Sequence, residues 1–198
     1  GTSGKVFAFE PHPGAAERFR ENVQINALTN VVLQQYALSD HTGDLVLGLK
    51  DDDSLSAVQS TQNPVIIGET APVHAICWDD FALQQGLIGK VTLMKIDVEG
   101  WEMHVVNGAQ QMLSAPDAPT IQIEFNDNAA RSAGSSCQVL YRALQSLGYQ
   151  LFRFDDQMRQ LIPESLAPQY TYTNLFATKQ PETVNQRLRH GRSPLWLR

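Results

Sequence analysis

Val91-Thr-Leu-Met-Lys-Ile-Asp-Val-Glu-Gly-Trp-Glu102 runs from the most apolar segment of the chain straight into two carboxylates and a glycine. An apolar run of this length, bounded by turn residues, reads as a strand at the centre of a sheet, covered on both faces. It ends at Asp97. Asp97 and Glu99 then put charge where an apolar chain would pack better, and burying a carboxylate is costly unless something pairs it. A donor on a ligand, a metal ion, Lys95, or the free N–H groups of a helix starting near Trp101 would each serve as that partner.

Outward from this segment the apolar period switches repeatedly between two-like and 3.6-like. That alternation marks βαβ units around a mostly parallel sheet, so the fold class is α/β. On the N-terminal side, strands are predicted over Val6–Phe9, Val31–Leu38, Leu45–Leu49 and Val73–Cys77. Pro13 to about Ala27 reads as a helix with Ala15, Phe19 and Val23 facing the core. Asp79 is placed to cap a helix running to about Gln85. Residues 51–72, rich in Asp, Ser, Thr, Gln and Pro, read as a long loop with at most a short strand near Val65–Ile67.

On the C-terminal side, Trp101–Leu113 reads as one helix and Thr120–Phe125 as a strand. A helix capped by Ser135 or Ser136 turns Val139, Leu140, Ala143, Leu144 and Leu147 inward, and Gly148 suits its left-handed end. Tyr149–Phe154 and Tyr172–Thr178 complete the sheet. There is no sign of an internal repeat or a second domain.

The composition, 198 residues with 42% hydrophobic and 18% charged, is that of one soluble globular domain. Residues 183–198 hold Arg187, Arg189, Arg192 and Arg198 and no acid, so the rest carries 11 basic against 21 acidic residues. Such an acidic body argues against a nucleic-acid partner, and the basic end reads as a solvated tail. The longest apolar runs fall short of the ~20 residues that cross a bilayer, so no membrane association is expected. Cys77 and Cys137 form no paired motif, which points to free thiols in a reducing, cytoplasmic setting. His12, His41, His74, His104 and His190 fall at no zinc-binding spacing.

In open α/β sheets ligands sit outside the carboxyl ends of the strands, and four polar sites fall there: Glu10, Ser39-Asp40, Asp97 with Glu99, and Glu124 with Asn126. Glu10 suits the two hydroxyls of a ribose, or simply the positive end of the next helix. Asp40 is either a ligand group or part of an ordinary Ser-Asp turn.

Taken together, Val6-Phe-Ala-Phe-Glu-Pro11, Ala37-Leu-Ser-Asp40 before Gly43, Leu93-Met-Lys-Ile-Asp-Val-Glu-Gly-Trp-Glu102, Val105-Val-Asn-Gly-Ala109 and Pro119-Thr-Ile-Gln-Ile-Glu-Phe125 resemble FkbM-type methyltransferases over roughly residues 1–178. The resemblance implies a class I, Rossmann-like methyltransferase domain over residues 1–180, with 181–198 as a basic tail. Its sheet would have seven strands, the last antiparallel. It implies methyl transfer from S-adenosylmethionine to a hydroxyl on a small molecule, natural product or sugar. By position it assigns Glu10 to the cofactor ribose, Ala37, Leu38, Ser39 and Asp40 to the surroundings of the adenine, and Asp97 to the methionine part or the acceptor.

Methyl transfer from a sulfonium requires alignment and a base, and Asp97, Glu99 and Glu124 are the candidates for that base. A metal-assisted version would use Asp97, Glu124 and Asn126, which occupy positions similar to the Mg²⁺ ligands of catechol-type O-methyltransferases. A helix cap or a turn would explain Glu124 and Asn126 without a metal.

The family pattern opens with a strand, a glycine loop and a helix before a Gly-x-x-Gly turn, and this sequence starts at such a turn, Gly1 to Gly4. In the family's strand order the absent strand lies between Val6–Phe9 and Val91–Ile96, so a slot on the order of 10 Å is expected there. Another segment, or strand exchange within a homo-oligomer, would fill it. Two other readings compete. A nicotinamide-dependent oxidoreductase would also place an acid after its second strand, but no GxGxxG is present. A non-catalytic binding or assembly module would keep the fold without the donor site.

Overall fold

The computed structural model describes residues 4–48, 57–58 and 69–190, the pair 57–58 by backbone alone. The short strand expected near Val65–Ile67, most of the 51–72 loop and the chain after His190 lie outside those residues. The described elements are, in order, β1 (Val6–Phe9), α1 (Pro13–Ile25), β2 (Val31–Gln34), β3 (Ala37–Leu38), β4 (Gly43–Gly48), β5 (Ala57–Val58), β6 (Thr70–Ile76) and α2 (Trp78–Gln84). Then come β7 (Leu93–Ile96), α3 (Glu102–Asn107), α4 (Gln110–Ser114), β8 (Thr120–Phe125), α5 (Asp127–Ser132), α6 (Cys137–Ser146), β9 (Gln150–Asp155), β10 (Gln160–Pro163), β11 (Thr173–Thr178) and α7 (Pro181–His190).

The class is α/β, as expected, but the sheet is neither single nor mostly parallel. The strands form a pair β1-β2, a four-stranded sheet ordered β3-β6-β4-β5 and a five-stranded sheet ordered β10-β9-β11-β8-β7. Only β1/β2, β3/β6 and β7/β8 pair in parallel among the described residues. The pairings of β4 with β6 and of β9 with β10 add antiparallel ladders that apolar periodicity could not distinguish from parallel ones. The late strand β11 inserts between β8 and β9, antiparallel to both.

The predicted strand Val31–Leu38 breaks at Gln35-Tyr36, because β2 pairs with β1 while β3 joins β6 in another sheet. β7 also departs from expectation. It lies at the end of its sheet rather than the centre, and its residues alternate, with Met94 and Ile96 buried and Leu93 64% exposed. β1 and β7 are not hydrogen-bonded to each other.

The predicted helix Trp101–Leu113 is two short ones. α3 stops at Gly108, and α4 starts afresh because the Asp79 carboxylate accepts the Gln111 and Met112 amides at 2.7 and 3.1 Å. Asp79 was expected to cap α2; it caps α4 instead. Pro13 opens α1 as predicted, and Ala16 is its one buried residue, with Ala15, Phe19 and Val23 half-buried. Ser136 caps α6 through the Val139 amide. The buried face of α6 is rotated from the expected one, since Cys137 and Tyr141 join Leu140 and Leu144 while Val139 is exposed. The stretch read as a solvated tail is helical over Pro181–His190, and Asn185 Oδ1 accepts the Leu161 amide at 2.7 Å.

The core is built from β8, β11, β7, α3 and α6, with Ile121, Ile123, Phe125, Val105, Val106, Leu144 and Leu175 fully or almost fully buried. Burial of such side chains contributes about 1.5–3 kcal/mol each, so this centre supplies the rigid floor on which the strand-end residues stand.

Candidate functional site

The register of β7 on β8 pairs Ile96 with Ile123, so the next residues, Asp97 and Glu124, come side by side at the carboxyl ends of two parallel strands. Glu99 joins them through a tight turn. In that turn Glu99 takes a left-handed φ of 52°, and Gly100 a φ of 98°. A Cβ on Gly100 would lie 2.3 Å from the Ala129 carbonyl oxygen, so only glycine lets the turn lie against α5. Asp97, Glu99 and Glu124 each place a carboxylate oxygen within 4.8 Å of the others.

The environments of the three differ. Asp97 is exposed and its Oδ2 pairs with Lys95 Nζ at 2.9 Å, so Lys95 is one of the partners the sequence suggested. Glu124 is 2% exposed, and its Oε2 is buried without a hydrogen-bond partner. Burial first, and then the charges of Glu99, Asp97 and Glu102, push the Glu124 carboxyl up to about 7.

Two residues overlooked in the sequence complete this corner. Glu102 is buried and its Oε1 accepts the Val98 amide at 3.2 Å and the Gly100 amide at 3.1 Å, which locks the turn that carries Asp97 and Glu99. Its place in the first turn of a helix, three residues after Glu99, was the available signal. Asn174 of β11 pairs directly with Glu124 across the antiparallel ladder, and its Oδ1 is also buried and unpartnered. Directly opposed residues point to the same face of a sheet. No sequence signal marks Asn174, because its meaning depends on the register of β11.

Asn126 has a different task. Its Oδ1 accepts the Asn128 and Ala129 amides at 3.1 and 3.3 Å and so caps α5. That is the cap foreseen as the metal-free explanation of this residue.

Ser39 and Asp40 are joined to the acidic turn through α3. Ser39 is fully buried, and its Oγ accepts the Trp101 indole N–H at 3.2 Å. Trp101 stacks on His104 at 3.6 Å between ring centroids, and His104 Nδ1 lies 2.8 Å from Asp40 Oδ2. His41 Nδ1 lies 2.7 Å from the other Asp40 oxygen. Burial opposes ionisation of Asp40, but the bonds to His41 and His104 hold its carboxyl below the ordinary value. Ala37 is buried and Leu38 half-buried just before them. Glu10, half-buried after β1, accepts the His12 amide on Oε1 at 2.8 Å, and His12 in turn caps α1. Glu10 is not among the carboxylates that gather around Glu124.

A family model described as the methyltransferase FkbM domain matches residues 1–151. The chain belongs to the FkbM methyltransferase family. The matched segment includes β1, β3, β7 and β8, the strands that Glu10, Ser39, Asp97 and Glu124 end or follow. Hexuronic acid methyltransferase AglP of Haloferax volcanii is 30% identical to it over 122 residues, 62% of this chain and 48% of that protein. The chain thus spans about half the length of the curated relative it matches. The crystal structure of methyltransferase FkbM from Methylobacillus flagellatus KT shares its fold with a TM-score of 0.53 at 16% identity, over 88% of this chain and 36% of that one. Among the described residues no helix is long and apolar enough to cross a membrane.

Proposed function

We propose that this FkbM chain carries an S-adenosylmethionine-dependent O-methyltransferase site whose acceptor is a hydroxyl on a sugar of the uronic acid class. Membership of the family supports methyl transfer, and the name of the AglP relative supports the acceptor class. The observation that carries the chemistry is Glu124, a buried carboxyl held near neutrality beside two other acids at the strand ends.

Glu10 is the residue we assign to the ribose of the donor. Glu10 accepts the His12 amide on Oε1, and its second carboxylate oxygen would accept a ribose hydroxyl. Leu38, Ser39 and Asp40 would border the adenine through backbone and apolar contact, since the Ser39 hydroxyl is already taken up by Trp101. Bound S-adenosylmethionine would supply an electrophilic methyl group. The chain's own contribution is to hold the acceptor hydroxyl and receive its proton. Glu124 is the group we assign as base, because a carboxyl titrating near 7 is matched to proton removal at neutral pH. Asp97 and Glu99 keep its proton affinity high, and Lys95 restrains Asp97.

The same reading extends to the sheet. The outer edges of β1 and β7 carry no strand among the described residues. We take them as the two walls of one Rossmann-like sheet that admits a further strand, from this polypeptide or from a second copy.

Calorimetric titration with S-adenosylmethionine, followed by incubation with glucuronic and galacturonic acid glycosides and mass detection of methylated product, tests the proposal. Saturable binding that Glu10→Gln weakens, with product formation that Glu124→Gln removes, is expected. Binding indifferent to Glu10→Gln, or turnover unchanged by Glu124→Gln, would overturn it.

A further inference from the structure

Three carboxylates brought within 4.8 Å repel one another, and Lys95 contacts Asp97 among them. Crowded acids alone do not specify a ligand. Here, however, one of the three, Glu124, is almost wholly buried and has an oxygen that accepts no hydrogen bond. A buried acceptor without a partner costs about 1–3 kcal/mol, and more when charged. Opposite it in the ladder, Asn174 brings a second buried, unpartnered oxygen to the same face.

We propose that Asp97, Glu99 and Glu124 form a binding site for a hard divalent cation, with Asn174 Oδ1 alongside as a further oxygen. An all-oxygen donor set favours Mg²⁺, Mn²⁺ or Ca²⁺ over the metals that prefer nitrogen or sulfur. The spacing is suitable. Ligands about 2.1 Å from an octahedral ion lie about 3–4.2 Å apart, and those about 2.4 Å from Ca²⁺ lie up to about 4.8 Å apart.

Rigidity also suits a preformed site. Gly100 lies against α5, Glu102 fixes the turn through two amides, and the β7/β8 ladder holds Asp97 beside Glu124. The site would balance the charge that the fold concentrates at this corner, and it replaces the amide of Asn126, whose oxygen is occupied by the α5 cap, with the carboxylate of Glu99. The inference goes beyond methyl transfer and is read without donor or acceptor; an ion bound here takes the place of the Glu124 proton, so the base role assigned to Glu124 belongs to the ion-free chain.

The test is calorimetric and paramagnetic-resonance titration of the EDTA-stripped, dialysed chain with MnCl₂, followed by competition with MgCl₂ and CaCl₂. One saturable Mn²⁺ site per chain is expected, displaced by Mg²⁺ or Ca²⁺. Affinity should fall at least tenfold in Glu124→Gln and in Glu99→Gln, and stay unchanged in Asp117→Asn, an exposed acid elsewhere. Thermal melts in EDTA and in MnCl₂ guard against misfolding, because Glu124→Gln should melt no lower than the parent in EDTA and gain nothing from the ion. Absence of a saturable site, or a site whose affinity survives Glu124→Gln, would overturn the proposal.

Discussion

Gly108 lies where α3 ends, and a Cβ built on it would stand 1.9 Å from the Ser39 carbonyl oxygen, 2.9 Å from the Ser39 carbonyl carbon and 3.4 Å from Asp40 Cα. All three atoms are backbone, so no side chain can swing aside. An ordinary contact of about 3.4 Å would require α3 and the end of β3 to separate by roughly 1.5 Å within a close-packed region. The φ of Gly108 is −77°, which any residue adopts, so Gly108→Ala carries no dihedral strain. At an open position with that dihedral the change would stabilise by about 0.4–1 kcal/mol. Overpacking of this severity costs about 1–3 kcal/mol and sometimes more, so the net expectation is a loss of about 2 kcal/mol. Urea unfolding followed by circular dichroism should show a lower midpoint with an unchanged slope, and the melting temperature should fall by roughly 4–8 °C. A variant as stable as the parent, or more stable, would refute the close approach of α3 to Ser39. In that case the path from the acidic turn to Ser39 and Asp40 would also fail.

Three further outcomes follow from the site. Glu124 keeps its proton up to about 7 in the folded chain but only to about 4.5 when unfolded, so between those values the unfolded state alone releases it and folding stability drops as pH rises. Glu124→Gln should therefore match the parent near pH 5 and exceed it by about 1–2 kcal/mol at pH 8 in EDTA. A gap that does not widen over that range would count against a raised carboxyl. Glu102→Ala strands the Val98 and Gly100 amides and should lose about 2–4 kcal/mol, while Glu102→Gln retains an acceptor and should recover most of it. Equal losses in the two variants would show that the amides find other partners. Asp127 accepts the Cys137 and Tyr170 amides on its two oxygens; burial alone would raise its carboxyl, and those bonds hold it below the ordinary 3.8. Its contribution is present above that value and lost as pH falls through the folded one. Asp127→Asn should accordingly cost about 2 kcal/mol at pH 7, and the cost should shrink as the pH falls below 3.8, read from paired urea titrations.

Strands were legible wherever an apolar run stood between turn residues, which is why Val6–Phe9 and Thr120–Phe125 have the bounds the sequence suggests. Errors arose where a long-range partner decides the outcome. Val31–Leu38 looks continuous, and only the pairing of its halves with different sheets breaks it. The helix Trp101–Leu113 looks continuous too, and its break depends on the Ser39 carbonyl and the Asp79 carboxylate, both distant in sequence. The apolarity of Val91–Ile96 suggested a central strand, yet apolarity does not say which strand lies next to it. Among site residues, acids directly after strands could be picked out by chemistry. Asn174 could not, because its proximity to Glu124 is a fact of register alone.

One segment, residues 97–108, ties the ends of two separate sheets together. Its first four residues set Asp97 and Glu99 against Glu124 at the rim of the five-stranded sheet. Trp101 and His104 then reach Ser39 and Asp40, and Gly108 comes to rest on the Ser39 carbonyl, at the end of the four-stranded sheet. Any displacement of α3 must therefore move both groups of residues together, and a change at Gly108 should be felt at Glu124 although the two never touch. Measuring the Glu124 titration in Gly108→Ala by carboxyl-selective NMR separates this brace from two independent corners. A carboxyl that drops toward its ordinary range supports the brace, because a shifted turn would let water reach Glu124 and move Glu99 away. A titration unchanged in a variant that has nonetheless lost stability would mean that the acid cluster is held by β7 and β8 alone.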